Sequence, residues 1–212
     1  MDRLHKSNII GAALALALGA VLALALLAPS PARAQITTTG VRPGGGDGGG
    51  EPPRPSVTYN PERVRALLLS IHGYTREGLQ AASTNADEIL MMLAGDGQEE
   101  MVVRRQAIKG LRLFPSDGTL SFIEREVGGA PEGLKRLYLS SLGGFAQAFP
   151  DRVGALAESA LNDPLVNVRF SALKLTGELG QTPRVRSMLQ SRLAAEPDAK
   201  LRAAIQQRLG AN

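Results

Sequence analysis

The sequence predicts an all-α domain over residues 59–212, arranged as a short α-solenoid of about four helix–turn–helix repeats plus an N-terminal half repeat. Apolar residues recur there at i, i+3, i+4 spacing in segments of 10–16 residues, separated by Pro, Gly and Asp, and no run alternates convincingly with period two. An aliphatic–basic pair also recurs at intervals of 31 to 39 residues. Because an isolated helix pair cannot bury its apolar face, such units are expected to stack and share a core.

Residues 1–34 are predicted to be a signal peptide. A basic start precedes an apolar run over residues 9–28, and Ala32-Arg33-Ala34 places small residues at the −3 and −1 positions that signal peptidase reads. Cleavage after Ala34 would make the protein periplasmic or secreted. The alternative is an uncleaved membrane anchor, since 20 apolar residues are enough to span a bilayer. Under either interpretation the remainder faces outside the cytoplasm.

Residues 35–58 are predicted to form a disordered linker. Eleven of these 24 residues are Gly or Pro, so the segment has almost no apolar area to offset the loss of chain entropy. Its glycines match the dinucleotide-binding pattern G-x-G-x-x-G, but no strand precedes them and no helix follows. We interpret the segment as a tether.

The helices of the domain follow from their start signals and apolar periodicity. A capping side chain stands before a Pro of the first turn at Asn60-Pro61, Asp163-Pro164 and Thr182-Pro183. The predicted second helices of the repeats are residues 61–73, 98–113, 131–146, 164–180 and 198–210. The predicted first helices are residues 75–94, 116–128, 150–161 and 183–195.

The second helices share one sequence pattern. Four residues after the aliphatic member of each pair comes a further apolar residue, and nine residues after it four of the five segments have Gly. The small residues among these are expected where a second helix packs closely against a first helix. The pairs are Val64-Arg65, Val103-Arg104, Leu134-Lys135, Val168-Arg169 and Leu201-Arg202.

The stretch DPLVNVRFSALKLTGELG at 163–180 resembles the second half of a HEAT repeat, in which an Asp turn leads into a Val-Arg pair. The resemblance covers 59–212 in its period and is sharpest at 163–180. It implies an α-solenoid whose second helices line the concave side. It also implies a ladder of side chains linking successive turns, which is expected to be incomplete because Lys135 has no Asp in its own turn. The ladder residues are Arg104, Lys135, Asp163, Arg169 and Arg202, with Arg65 in the half repeat.

No catalytic, cofactor-binding or metal-binding residue is assigned from the sequence. Residues 35–212 contain one His, His72, and no Cys or Trp, which excludes a His/Cys zinc cluster and a Cys–His nucleophile. No G-x-S-x-G elbow and no phosphate-binding loop is present. We therefore expect a protein that is not an enzyme and needs no cofactor. His72 takes a slot that Leu or Thr occupies in other repeats, so we expect a partly buried packing residue.

Charge is unevenly distributed along the domain. Residues 35–212 carry a net charge of only +2, which argues against nucleic-acid binding. The predicted second helices with their turns hold 13 basic and 7 acidic residues, whereas the first helices hold 6 and 9. This difference suggests a basic groove for an acidic partner segment. The alternative is that the ladder residues account for most of the excess. The candidate partner-binding residues are Arg105, Lys109, Arg136 and Lys174.

The sequence favours an exported protein–protein interaction module, acting as an adaptor or scaffold for another protein or peptide. One alternative is an accessory subunit or regulator of an envelope enzyme. The repeat pattern is similar to that of bilin-lyase subunits, although those work in the cytoplasm. A further alternative is a polyanion-binding or nucleic-acid-binding HEAT-like protein. Membrane association is expected only if residues 9–28 are retained, and the oligomeric state is left open.

Overall fold

A computed structural model describes residues 59–210, which contain ten α-helices, one 3₁₀-helix and no strand. The all-α prediction is therefore confirmed for this part of the chain. The predicted signal peptide and linker lie outside the described residues. The helices are α1 (Pro61–Leu68), α2 (Arg76–Ala82), α3 (Ala86–Gly95), α4 (Met101–Leu111), α5 (Asp117–Gly129), α6 (Glu132–Ser141), the 3₁₀-helix (Leu142–Phe145), α7 (Pro150–Leu161), α8 (Val166–Glu178), α9 (Pro183–Ala195) and α10 (Ala199–Gly210).

The helices pack in two layers. The B layer contains α1, α4, α6, α8 and α10, and each of these helices contacts the next one in the layer. The A layer contains α2, α3, α5, α7 and α9, and each B helix from α4 onward packs against the A helix that precedes it. This arrangement is the predicted short α-solenoid, with four helix pairs following the half repeat α1.

Neighbouring B helices run parallel. At the N-terminal ends of α8 and α6, Asn167 Nδ2 donates to Glu132 Oε1 at 2.8 Å. In the C-terminal halves of α6 and α4, Ser141 Oγ donates to the carbonyl oxygen of Ile108 at 2.7 Å. Because equivalent ends meet, residues at the same repeat position lie side by side across the B layer.

The core follows the repeat pattern of the sequence. The aliphatic residue of every aliphatic–basic pair is buried, and so is the residue four positions later. This spacing places both side chains on the same face of the helix, turned toward the A layer and the neighbouring repeats. These core residues are Val64, Val103, Leu134, Val168 and Leu201, followed by Leu68, Ala107, Tyr138, Ala172 and Ile205.

Three predicted helices differ from the observed ones by an interruption or by five residues at one end, while the other differences are three residues or fewer. The predicted first helix 75–94 is two helices, α2 and α3, separated at residues 83–85 by Ser-Thr-Asn, residue types that favour caps and turns over helix interiors. The second helix predicted at 131–146 ends at Ser141 and tightens into the 3₁₀-helix, which contains two glycines. The helix predicted at 61–73 already ends at Leu68, and Gly73 adopts a positive φ of 74° in the following turn. By contrast, α7 and α9 have the predicted bounds.

The prediction that His72 is a partly buried packing residue is wrong. His72 is exposed, because α1 ends four residues before it and the chain has already left the helix face that turns toward the core.

Ion pairs connect successive helices of the A layer. Arg152 on α7 bonds to both Asp117 and Glu124 of α5, and Arg184 on α9 lies 3.2 Å from Asp151 of α7. The Arg184–Asp151 pair is exposed, and such pairs contribute little stability individually. Among residues 59–210, no helix combines the length and apolar character needed to cross a bilayer.

Candidate functional site

The four candidate partner-binding residues lie on three adjacent B helices. Arg105 and Lys109 are on α4, Arg136 is on α6 and Lys174 is on α8. All four side chains are exposed, and none forms a hydrogen bond or ion pair with another residue of 59–210. Their charges are therefore not neutralised by the described part of the chain.

Three of these residues surround one depression in the surface of the B layer, with a volume of about 450 Å³. Arg105, Arg136 and Lys174 supply its positive charge, and Ser140 and Ser171 supply hydroxyl groups. Lys109 is not part of its lining but follows Arg105 by one helical turn on the same side of α4. The remaining lining residues are Gly133, Leu137, Leu139, Gly143, Leu175 and Glu178. The depression thus combines apolar walls with a net positive charge.

The basic members of the aliphatic–basic pairs point elsewhere, toward the turns that join first and second helices. Arg65 Nη2 lies 3.0 Å from Glu99 Oε1 and 2.9 Å from Glu100 Oε1, in the turn before α4. The hydrogen bond from Arg65 lowers the pKa of Glu99. Lys135 Nζ lies 2.9 Å from Asp163 Oδ2, in the turn before α8. Each pair links one repeat to the next.

The strongest of these links is formed by Arg169 and Glu196, whose side chains are only 6% and 0% exposed. Arg169 Nε and Nη2 donate to the two carboxylate oxygens of Glu196 at 2.9 and 2.7 Å. Arg169 Nη1 also donates to the carbonyl oxygens of Asp163 and Pro164 in its own turn. Arg169 therefore connects two successive turns.

The carboxylate of Glu196 accepts hydrogen bonds from several donors. Burial alone would raise its pKa, but hydrogen bonds from Arg169, the Asp198 backbone N–H and Arg192 outweigh burial and lower the pKa to about 2. The carboxylate is consequently ionised at neutral pH despite its burial.

Within residues 59–210, the side chains of Arg104 and Arg202 bond to backbone carbonyls, near the end of α3 and in the turn before α10 respectively. Arg104 Nε donates to Ala94, and Arg202 donates to Glu196 and Pro197. All five pair residues are thus occupied with turns. The charge available to a partner on the B layer is therefore carried by other residues, among them the four candidates.

Two functional positions were missed by sequence reasoning. The acid that pairs with Arg169 is Glu196, whereas Asp198 accepts the Leu201 N–H at the start of α10. A search for any acidic residue in the turn before α10, whatever its spacing from the basic residue, could have identified Glu196. Glu178 was counted as one acid among several, although it lines the same depression as the basic residues.

Residues 59–210 contain no group of three or more His, Asp or Glu side chains placed to bind a metal ion. No family model matches the chain, and no curated protein matches it. Solved structures do match. One is the structure of the complex of CpcE and CpcF of phycocyanin lyase from Nostoc sp. PCC7120. It is 15% identical, with a TM-score of 0.33, and the match covers 73% of this chain and 77% of that one.

The fold of the described residues is a short α-solenoid of helix pairs. Our expectation that the chain is not an enzyme is contradicted, because the matched complex belongs to a lyase. That expectation is withdrawn.

Proposed function

We propose that this protein is an exported interaction module of the HEAT-repeat type, which binds an acidic segment of another protein on its B layer. The observation that supports this most is the convergence of Arg105, Arg136 and Lys174 on one depression, where none of them has an acidic partner among residues 59–210. Unneutralised charge of one sign attracts and orients a partner of the opposite sign.

The shape of the surface suits a protein segment. A depression of about 450 Å³ can take one or two side chains, while the exposed helices on either side extend the contact. Its apolar walls, Leu137, Leu139 and Leu175, would cover the stem of an acidic side chain and so exclude water from the ion pairs. The proposal that the protein is exported rests on its N-terminal sequence. Outside the cytoplasm it would act as an adaptor or as an accessory subunit of an envelope enzyme.

Reversing the charge of the four candidate residues together, each to Glu, is expected to weaken binding of an acidic peptide at least about tenfold. The probe is a capped peptide with two adjacent aspartates in a Ser/Gly background, titrated into the full-length chain by calorimetry at physiological salt. The variant repels the acidic peptide instead of attracting it, so the loss of affinity should become smaller as salt is added.

The matched control reverses four exposed Arg residues of the A layer, which changes the net charge by the same amount. These are Arg76, Arg125, Arg184 and Arg186. The control is expected to bind the peptide nearly as well as the unaltered chain. Equal losses in both variants would show only a long-range charge effect and would contradict a site on the B layer. Firm retention on heparin without peptide binding would instead support the polyanion alternative.

A further inference from the structure

One acidic residue stands among the basic residues of the depression. Glu178 is exposed, forms no hydrogen bond or ion pair with any residue of 59–210, and lies against Gly143 of the 3₁₀-helix. A Cβ added to Gly143 would be 3.2 Å from Glu178 Cγ. The glycine therefore leaves room for the acidic side chain at this edge of the depression.

The position of Glu178 is unfavourable for the helix that carries it. It is the last residue of α8, where the negative end of the helix dipole repels a carboxylate. Lys174 precedes it by four residues, but this order of charges is the weaker one for a pair on a helix, and the two side chains form no ion pair in the structure. Local stability thus gives no reason for an acid at this place.

The charges of the depression are separated along the helix axes. Arg105 and Arg136 each lie two residues after the aliphatic residue of their pair. On α8, Lys174 lies six residues and Glu178 ten residues after the aliphatic residue. Because the B helices run parallel, eight residues at 1.5 Å per residue place Glu178 about 12 Å along the axis from the two arginines. An extended peptide covers that distance in three or four residues, at about 3.4 Å each.

We propose that the depression recognises a segment of mixed charge, in which one or two acidic residues are separated by three or four residues from a Lys or Arg. The acidic residues pair with Arg105, Arg136 and Lys174, and the basic residue pairs with Glu178. This inference rests on the proposed function and adds to it a rule of selection: Glu178 rejects segments that are acidic throughout.

The test compares three capped peptides on the full-length chain. Each has two adjacent aspartates, and the fourth residue after them is Lys, Ala or Glu. The unaltered chain is expected to bind the Lys peptide about two- to fivefold more tightly than the Ala peptide, as a partly exposed ion pair would allow, and the Glu peptide most weakly. Glu178→Gln should bring the three affinities together, and Glu178→Lys should favour the Glu peptide.

The stability of the variants separates this role from a structural one. Glu178→Gln and Glu178→Lys are expected to unfold at the same temperature as the unaltered chain or slightly above it, because they remove an unfavourable dipole interaction. Equal binding of the three peptides to the unaltered chain, or an unchanged order of affinities in Glu178→Lys, would overturn the inference while leaving the proposed function intact. Failure of every peptide to bind would overturn both.

Discussion

Replacing Glu196 with Gln is expected to lower the free energy of unfolding by about 3 kcal/mol at pH 7. The side chain is fully buried and pairs with both Arg169 and Arg192. A neutral amide would leave these two guanidinium groups, which are only 6% and 12% exposed, without a compensating charge. The NH₂ group of the glutamine would also face an N–H donor of one of these guanidinium groups. Chemical denaturation followed by circular dichroism measures the change.

The effect of this substitution should depend on pH. The folded pKa of Glu196 is about 2, below the ordinary value of 4.5. A carboxyl whose pKa is lower in the folded state adds stability above its unfolded pKa and loses that contribution as the pH falls. The difference in unfolding free energy between the unaltered chain and Glu196→Gln should therefore be full above about pH 5 and decline toward pH 2. A difference that stays constant over this range would contradict the assigned ion pair.

Glu158→Gln provides the matched control. Glu158 is an exposed carboxylate of α7 whose side chain forms no ion pair in the described part of the chain, so its neutralisation should change the unfolding free energy by less than about 0.5 kcal/mol. A loss as large as that of Glu196→Gln would show that net charge, and not the buried link between repeats, accounts for the effect.

Replacing Gly144 with Ala is expected to cost about 2 kcal/mol of stability. Gly144 lies in the 3₁₀-helix after α6, and a Cβ there would overlap the carbonyl oxygen of Arg112 at the end of α4. Because the obstacle is backbone, relief requires the two repeats to move apart. Thermal and denaturant unfolding measure the loss.

Two neighbouring substitutions test whether this close approach is the cause. In Gly143→Ala the new methyl meets only the flexible side chain of Glu178, so the cost should stay below about 1 kcal/mol. Gly118→Ala, on α5 with open space around it, should be neutral or slightly stabilising, because Ala is the better helix former. Similar losses for Gly143→Ala and Gly144→Ala would contradict a specific contact between the repeats.

Local sequence signals were sufficient where a helix is delimited by its own residues. Thr182-Pro183 marks the start of α9, and the hydroxyl of Thr182 accepts the Val185 N–H as a cap. Where the end of a helix depends on a neighbouring repeat, the signals failed. Helix α6 ends earlier than predicted, close to the point where Gly144 approaches α4, and no residue within α6 itself signals that end.

For the candidate site, the sequence identified which residues are basic and on which helix they lie. Only the structure separated those bonded to turns, such as Arg169, from those without a partner in the described part of the chain, such as Arg136. The two residues are alike in type and both belong to second helices. Arg169 follows the aliphatic residue of its pair by one position, whereas Arg136 follows its own by two. One position along a helix turns a side chain by about 100° and so decides what it faces.

The sequence by itself determined the helical class, the repeat period and the buried face of each second helix, because these depend on the spacing of apolar residues along one helix. Only the tertiary structure decided that Glu196 is the buried partner of Arg169, and that Glu178 stands opposite Gly143 at the depression that Arg105, Arg136 and Lys174 also line. Those relations join residues about 30 positions apart, and they exist only because parallel helices stack with a particular register.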